Sequence, residues 1–338
     1  MPLAPAGRAP PSGALRVSDA KAPGERVEIA ASDGGRVVAH RFHARSPCAR
    51  VVIGAALGVR QDFYFDFARH LAERGLSSCT FDYRGVGHGA PRSLRGHPAT
   101  LAHWVLDYDA VLASAARPGE RLPLFVVGHS LGAQLPAITA SSGKIAGMVA
   151  VAGGGGYWRG LSPRARPFML AMLNVAAPVS IPIAGYFPGA KLGMIGDLPG
   201  GVMRQWRRWC LDPEYLVGAE PGAREAYARA RFPILSLAIA DDWMMPERNI
   251  ESLHVHFGTR SREARRITRA IAGGPVGHTG FFRRRYRETL WPIASDWLLE
   301  RARAAGRERS QATSATVAAR PRANSTSAKY NESQGDAK

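Results

Sequence analysis

Apolar residues along the chain fall into short runs that alternate with amphipathic stretches. Residues 27–29 and 36–39 flank an Asp33-Gly34-Gly35 turn, a pattern that predicts a β-hairpin. Residues 51–53 are three apolar residues in a row, as expected of a strand buried on both faces. Phe63, Phe67, Leu71 and Ala72 then recur at helical spacing up to Gly75, a C-terminal stop. Residues 78–81 predict another strand, followed by the loop Asp82-Tyr83-Arg84-Gly85-Val86-Gly87, a helix over 101–116 and a buried strand at Leu124-Phe125-Val126-Val127. Strands follow over 145–151 and 234–239, then a helix, a basic strand-like stretch over 265–271 and a final helix over 288–301. Strands alternating with helices predict an α/β fold with a mostly parallel central sheet covered on both faces.

One segment breaks the alternation. Residues 153–231 separate two strands that a single helix would normally join. This stretch holds Trp158, Trp206 and Trp209, and its apolar part, 168–187, is interrupted by Asn174, Pro178 and Pro182. The interruptions predict an inserted helical cap rather than a membrane span, and no transmembrane segment is expected elsewhere. The predicted core is therefore 25–152 with 232–304. The flanks, 1–24 and 305–338, are polar and rich in Pro, Ala and Ser, and are expected to be disordered.

Composition adds limits. The 338 residues, 46% hydrophobic, suffice for one large core plus an insertion. The net charge is +18, but the arginines are dispersed, with clusters only at Arg283-Arg284-Arg285 and in the tail. No nucleic-acid motif accompanies them, so no specific nucleic-acid partner is expected. The three cysteines, Cys48, Cys79 and Cys210, are too scattered for a disulfide framework or a metal cluster, and imply a reducing, cytoplasmic setting. The Met1–Pro11 stretch has no apolar core of a secretory signal.

The chemistry concentrates at Gly128-His129-Ser130-Leu131-Gly132, a G-x-S-x-G nucleophile elbow after a buried strand. A serine hydroxyl becomes a nucleophile when a sharp, strained strand-to-helix turn projects it toward a base, and that turn demands small neighbours. The base needs an orienting acid, in the chain order Ser, Asp or Glu, His. The strand ending at Val151 is followed by Ala152 and four glycines, with no carboxylate. The strand ending near Ala240 is followed by Asp241-Asp242-Trp243-Met244-Met245-Pro246. Asp242, four residues before Pro246, is the preferred acid, with Asp241 the alternative. Of the histidines beyond the acid, His254 and His256 fall in a predicted helix. His278 hangs in the loop Gly277-His278-Thr279-Gly280 after the last strand, and is the expected base. The oxyanion hole needs two backbone N–H groups, assigned to Leu131 and to Leu57 in Gly54-Ala55-Ala56-Leu57-Gly58-Val59.

With these parts the chain resembles the α/β-hydrolase superfamily from about Val27 to Arg301, and within it a bacterial group of predicted, capped serine hydrolases. The resemblance rests on residues 57–64, Phe81-Asp82-Tyr83-Arg84-Gly85-Val86-Gly87, the elbow, Gly156-Tyr157-Trp158, Gly185-Tyr186-Phe187-Pro188-Gly189, Arg204-Gln205-Trp206, and Gly277-His278-Thr279-Gly280-Phe281-Phe282. It departs from the family at Ala55-Ala56, where a His-Gly pair is common, and at His88, where relatives carry a serine. Pro136, in the second turn after Ser130, predicts a kink. The resemblance implies a serine hydrolase, free of cofactor and metal, acting on an ester, thioester or related acyl compound that is apolar in part. An acyltransferase on the same scaffold is the alternative. A non-catalytic basic module that binds a polyanion or an anionic membrane is the remote one.

Overall fold

The computed structural model describes residues 24–116 and 122–318, with side chains to Arg307. The first part runs β1 (Glu25–Ala30), β2 (Arg36–Phe42), β3 (Ala49–Gly54), α1 (Phe65–Glu73), β4 (Leu76–Asp82), α2 (Leu101–Ala115), β5 (Leu124–His129), α3 (Leu131–Gln134) and β6 (Ile145–Val151). The segment between the sixth and ninth strands is mainly helical. It comprises α4 (Ala165–Ala171), α5 (Ala177–Ala184), a small hairpin of β7 (Tyr186–Phe187) and β8 (Leu198–Pro199), α6 (Gly200–Leu211), α7 (Leu216–Ala219) and α8 (Ala223–Arg229). The chain then returns to the body as β9 (Ile234–Ile239), α9 (Glu247–His254), β10 (Arg262–Ile267), α10 (Arg269–Ala272) and α11 (Trp291–Ala318).

The main sheet has the order β1-β2-β4-β3-β5-β6-β9-β10. Only the β1–β2 and β2–β4 pairs are antiparallel. This order creates a switch point. From β3 the chain crosses through α1 to β4 on one side, then returns through α2 to β5 on the other. Right-handed crossovers in opposite directions put α1 and α2 on opposite faces and open a crevice between the C-terminal tips of β3 and β5. Both central strands are apolar and buried, and β5 is buried throughout. Phe67 of α1 meets Trp291 of α11 at 5.5 Å between ring centroids, while Tyr108 of α2 meets Phe81 at 5.0 Å.

The kink expected at Pro136 is present, and three local features differ from what pattern reading predicts. The helix after Ser130 lasts four residues and continues as a 3-10 turn over Leu135–Ile138. Pro136 has no N–H to give the Gly132 carbonyl four residues back, and the Tyr108 hydroxyl donates to that carbonyl at 3.0 Å instead. The stretch expected to be broken at Asn174, Pro178 and Pro182 is one continuous helix. A π turn over Met172–Ala176 joins α4 to α5, and the Leu173 carbonyl is satisfied by Arg207 Nε at 2.6 Å. Ala165–Ala184 is, among the described residues, the one helix long and apolar enough to cross a membrane by length and composition. It buries Met169, Met172, Leu173 and Ile181 and exposes Val175, Val179 and Ile183. The last strand begins three residues earlier than expected and ends four earlier, with α10 following it. It is an edge strand, so charge replaces the apolar run that marks inner strands. The terminal helix reaches Ala318, past the expected body limit at 304, through a sequence rich in the helix formers Ala and Arg. The expected disorder of 1–24 and of the far tail lies outside the described residues, except for Gly24 and residues 305–318.

Candidate active site

The strands end in the same direction, so the loops after β3, β5, β6 and β9 share one edge of the sheet. Ser130 stands at the tip of β5 with φ 51° and ψ −114°, a conformation that L-residues rarely occupy. Its N–H is held by the Val151 carbonyl at 2.9 Å. The glycines on either side are required by contact. A Cβ on Gly132 would collide with the Gly54 carbonyl, and one on Gly128 with the backbone of Ala133. The nucleophile turn is therefore pressed against the loop that follows β3. That loop carries Leu57, and Leu131 opens α3 directly after the serine.

Asp242 and His278 meet on the other side. His278 Nδ1 is 2.6 Å from Asp242 Oδ2. The second carboxylate oxygen accepts from the N–H groups of Met244 (2.8 Å) and Met245 (3.0 Å), and the side chain is buried. A carboxylate so engaged fixes the ring with Nδ1–H toward it, which leaves Nε2 of the neutral imidazole as the basic nitrogen. Asp241 has different partners: the N–H groups of Gly277 (2.9 Å) and Val276 (3.2 Å), and Arg269 Nε (3.3 Å). Burial pushes its carboxyl up, but those N–H groups and Arg269 outweigh burial and hold it below the usual carboxylate range. Of the two aspartates, one faces the imidazole and its neighbour clamps the loop that carries it. His254 is buried in α9 against Phe257, 5.8 Å between ring centroids, and has no part in this contact.

The link between the serine and histidine sides is His129, directly before the nucleophile. Its Nε2 is 2.9 Å from the His278 carbonyl oxygen, and the two rings are 5.4 Å apart. Its Nδ1 is 2.8 Å from the Tyr64 hydroxyl, which the Ala56 N–H also reaches at 3.0 Å. Pattern reading gave neither residue a role, although both stand inside quoted motifs: His129 fills the variable position before the elbow serine, and Tyr64 ends the stretch 57–64. The Tyr83–Gly87 loop is structural. Arg84 bridges Asp107 (Nε, 2.8 Å) and Asp33 (Nη1, 2.6 Å), and its hydrogen bonds hold the Asp33 carboxyl at about 2.

The inserted segment reaches over this edge from both ends. Gly196 packs on Gly58 beside the oxyanion loop, and Phe168 meets Trp243, next to Asp242, at 6.0 Å between centroids. Among the described residues, no group of three or more His, Cys, Asp or Glu is arranged to hold a metal ion.

A mostly parallel sheet, a strained serine at its switch point and an Asp–His pair on later loops define the class of protein. Comparisons with known proteins agree. Residues 45–185 match the family described as "Serine aminopeptidase, S33", a stretch that includes Ser130 but ends before Asp242 and His278. The chain is 36% identical over 114 residues to a curated protein of Schizosaccharomyces pombe named "Putative monoglyceride lipase". That match covers 31% of this chain and 29% of the relative's length. A soluble variant of monoglyceride lipase from Saccharomyces cerevisiae, solved with a substrate analog, superposes with a TM-score of 0.60 at 17% identity, covering 85% of this chain and 97% of its own. Monoacylglycerol lipase from Paleococcus ferrophilus gives a TM-score of 0.55 at 18% identity, covering 78% and 99%. The chain has the α/β-hydrolase fold.

Proposed function

We propose that the protein is a serine hydrolase that cleaves a carboxylic ester, or a related acyl bond, through an acyl-enzyme on Ser130. His278 Nε2 takes the Ser130 proton as Oγ attacks the carbonyl carbon, and returns it to the leaving alcohol. Water then repeats the sequence and releases the acid. Asp242 holds the imidazole in the required tautomer and stabilises the imidazolium. The N–H groups of Leu131 and Leu57 receive the oxyanion, each such donor contributing about 2.7–4 kcal/mol to transition-state stabilisation. The observation that carries this reading is the 2.6 Å contact between buried Asp242 and His278, on a loop whose His278 carbonyl is bonded to His129, the residue before a serine at φ 51°. The names of the relatives, together with the apolar residues of the inserted segment, favour an ester with an apolar acyl chain. The three cysteines are free, as suits the reducing compartment we assign.

Hydrolysis of p-nitrophenyl esters of graded chain length tests the proposal. The wild-type protein is expected to turn over at least one of them. Ser130→Ala should lower kcat by about 10⁶-fold, the loss seen when a triad serine is removed. Hydrolysis that survives Ser130→Ala would overturn the assignment.

A further inference from the structure

Three loops must meet at Ser130, and one buried pair of side chains touches all of them. Tyr64 and His129 are 1% and 0% exposed. Hydrogen bonds run from the Ala56 N–H to Tyr64 Oη (3.0 Å), between Tyr64 Oη and His129 Nδ1 (2.8 Å), and from His129 Nε2 to the His278 carbonyl (2.9 Å). The two ends determine every proton between them. A carbonyl only accepts, so Nε2 carries the proton. Nδ1 of the neutral ring then accepts from the Tyr64 O–H, and the phenol oxygen accepts from Ala56. Burial, and after it the neighbouring His278, hold His129 at about 3, so the ring stays neutral near pH 7. Phe282, from the loop that carries His278, packs edge to face on Tyr64 at 4.9 Å between ring centroids and lies tilted against His129 at 5.1 Å.

We infer that Tyr64 and His129 form a positioning relay that sets the oxyanion loop against the general base. The inference rests on the roles of Ser130 and His278 proposed above. Neither relay residue acts on substrate. Pinning the Ala56 N–H fixes the peptide next to Leu57, and pinning the His278 carbonyl fixes the main chain that carries the imidazole. Removing the Tyr64 hydroxyl leaves Ala56 N–H and His129 Nδ1 buried and unpaired, and both loops lose their common reference.

Tyr64→Phe keeps the ring against Phe282 and removes only the hydroxyl. His129→Asn keeps an acceptor toward Tyr64 but is too short to reach His278. Each is expected to lower kcat toward p-nitrophenyl esters by about 10²-fold, the scale of a 1 Å misplacement of reacting groups, with KM nearly unchanged. The double variant should be no slower than the slower single, because both break one relay. Ser78→Ala removes a comparable buried hydroxyl, bonded to the Ala68 carbonyl at 2.9 Å away from the site, and should leave kcat at the wild-type value. Hydrogen–deuterium exchange reads the coupling without catalysis: Tyr64→Phe should raise exchange in both 54–60 and 274–282. A wild-type kcat in Tyr64→Phe, additive losses in the double variant, or exchange that rises in one loop only would each overturn the relay. If the wild-type protein hydrolyses no ester, the proposed function fails, and the exchange experiment still decides the relay.

Discussion

The serine half of the site and the histidine half are held by different forces. On the serine side, β3 and β5 are neighbouring central strands, and their tips are fixed by backbone against backbone: Gly132 on the Gly54 carbonyl, and Ser130 N–H on Val151. On the histidine side, Asp242 and His278 ride on longer loops after β9 and β10, next to the sheet edge. There side-chain hydrogen bonds fix the geometry: Asp242 to the imidazole, Asp241 to the N–H groups of 276 and 277, and His129 to the His278 carbonyl. Sterics at the centre of a sheet tolerate no substitution. Hydrogen bonds at its margin can be removed one at a time, so the two halves should fail in different ways.

That contrast can be broken at several points. Asp242→Asn keeps the shape of the histidine side and removes the charge that selects the tautomer, so kcat should fall by about 10⁴-fold with the fold intact. A near-normal rate would move the acid role to Asp241. Gly132→Ala attacks the serine side, where the added methyl meets a backbone carbonyl. We expect destabilisation of about 4 kcal/mol or more, measured by denaturant unfolding. A variant as stable as wild type would show that this contact is soft. Asp241→Asn leaves the triad contact in place and weakens the clamp on the 276–277 N–H groups. The expected loss in kcat is about 10-fold, well below the 10²-fold attached to a full 1 Å misplacement.

The smallest effect concerns pH. Burial lowers His70, His129 and His254 to about 4, about 3 and about 4, below their ordinary 6.5. Between pH 6.5 and about 4 the unfolded chain takes up protons that the fold refuses. Stability from these histidines is therefore complete above 6.5 and is lost as pH falls, by at most about 1.4 kcal/mol per pH unit for each. Burial raises the carboxyls of Asp82 and Asp107, whose contribution has the opposite sign. Comparing His254→Leu with wild type cancels those carboxylates: the acid-induced drop in Tm over this window should shrink by one histidine's share. An unchanged drop would mean that His254 is protonated in the folded state.

Much of the architecture was legible because its signals are local. Apolar runs such as residues 51–53 and 124–127 mark strands buried on both faces, and the Asp33-Gly34-Gly35 turn marks the hairpin. The charged edge strand Arg262–Ile267 was misplaced because an edge needs no apolar run. The continuous helix Ala165–Ala184 was missed because a π turn and Arg207 absorb what Pro178 disrupts. At the site, chain order and loop position sufficed to nominate Ser130, Asp242 and His278. The different partners of Asp241 and Asp242 could not be read from two adjacent identical letters. Tyr64 and His129 carry no local sequence signal, because their connection spans 65 and 149 residues of chain and exists only in three dimensions.

The most direct test is labelling with a fluorophosphonate, followed by peptide mapping. The account predicts a single adduct, on the Ser130 hydroxyl, that forms slowly in His278→Ala and is absent from Ser130→Ala. An adduct on another residue, or labelling of the Ser130→Ala variant at the wild-type rate, would contradict it.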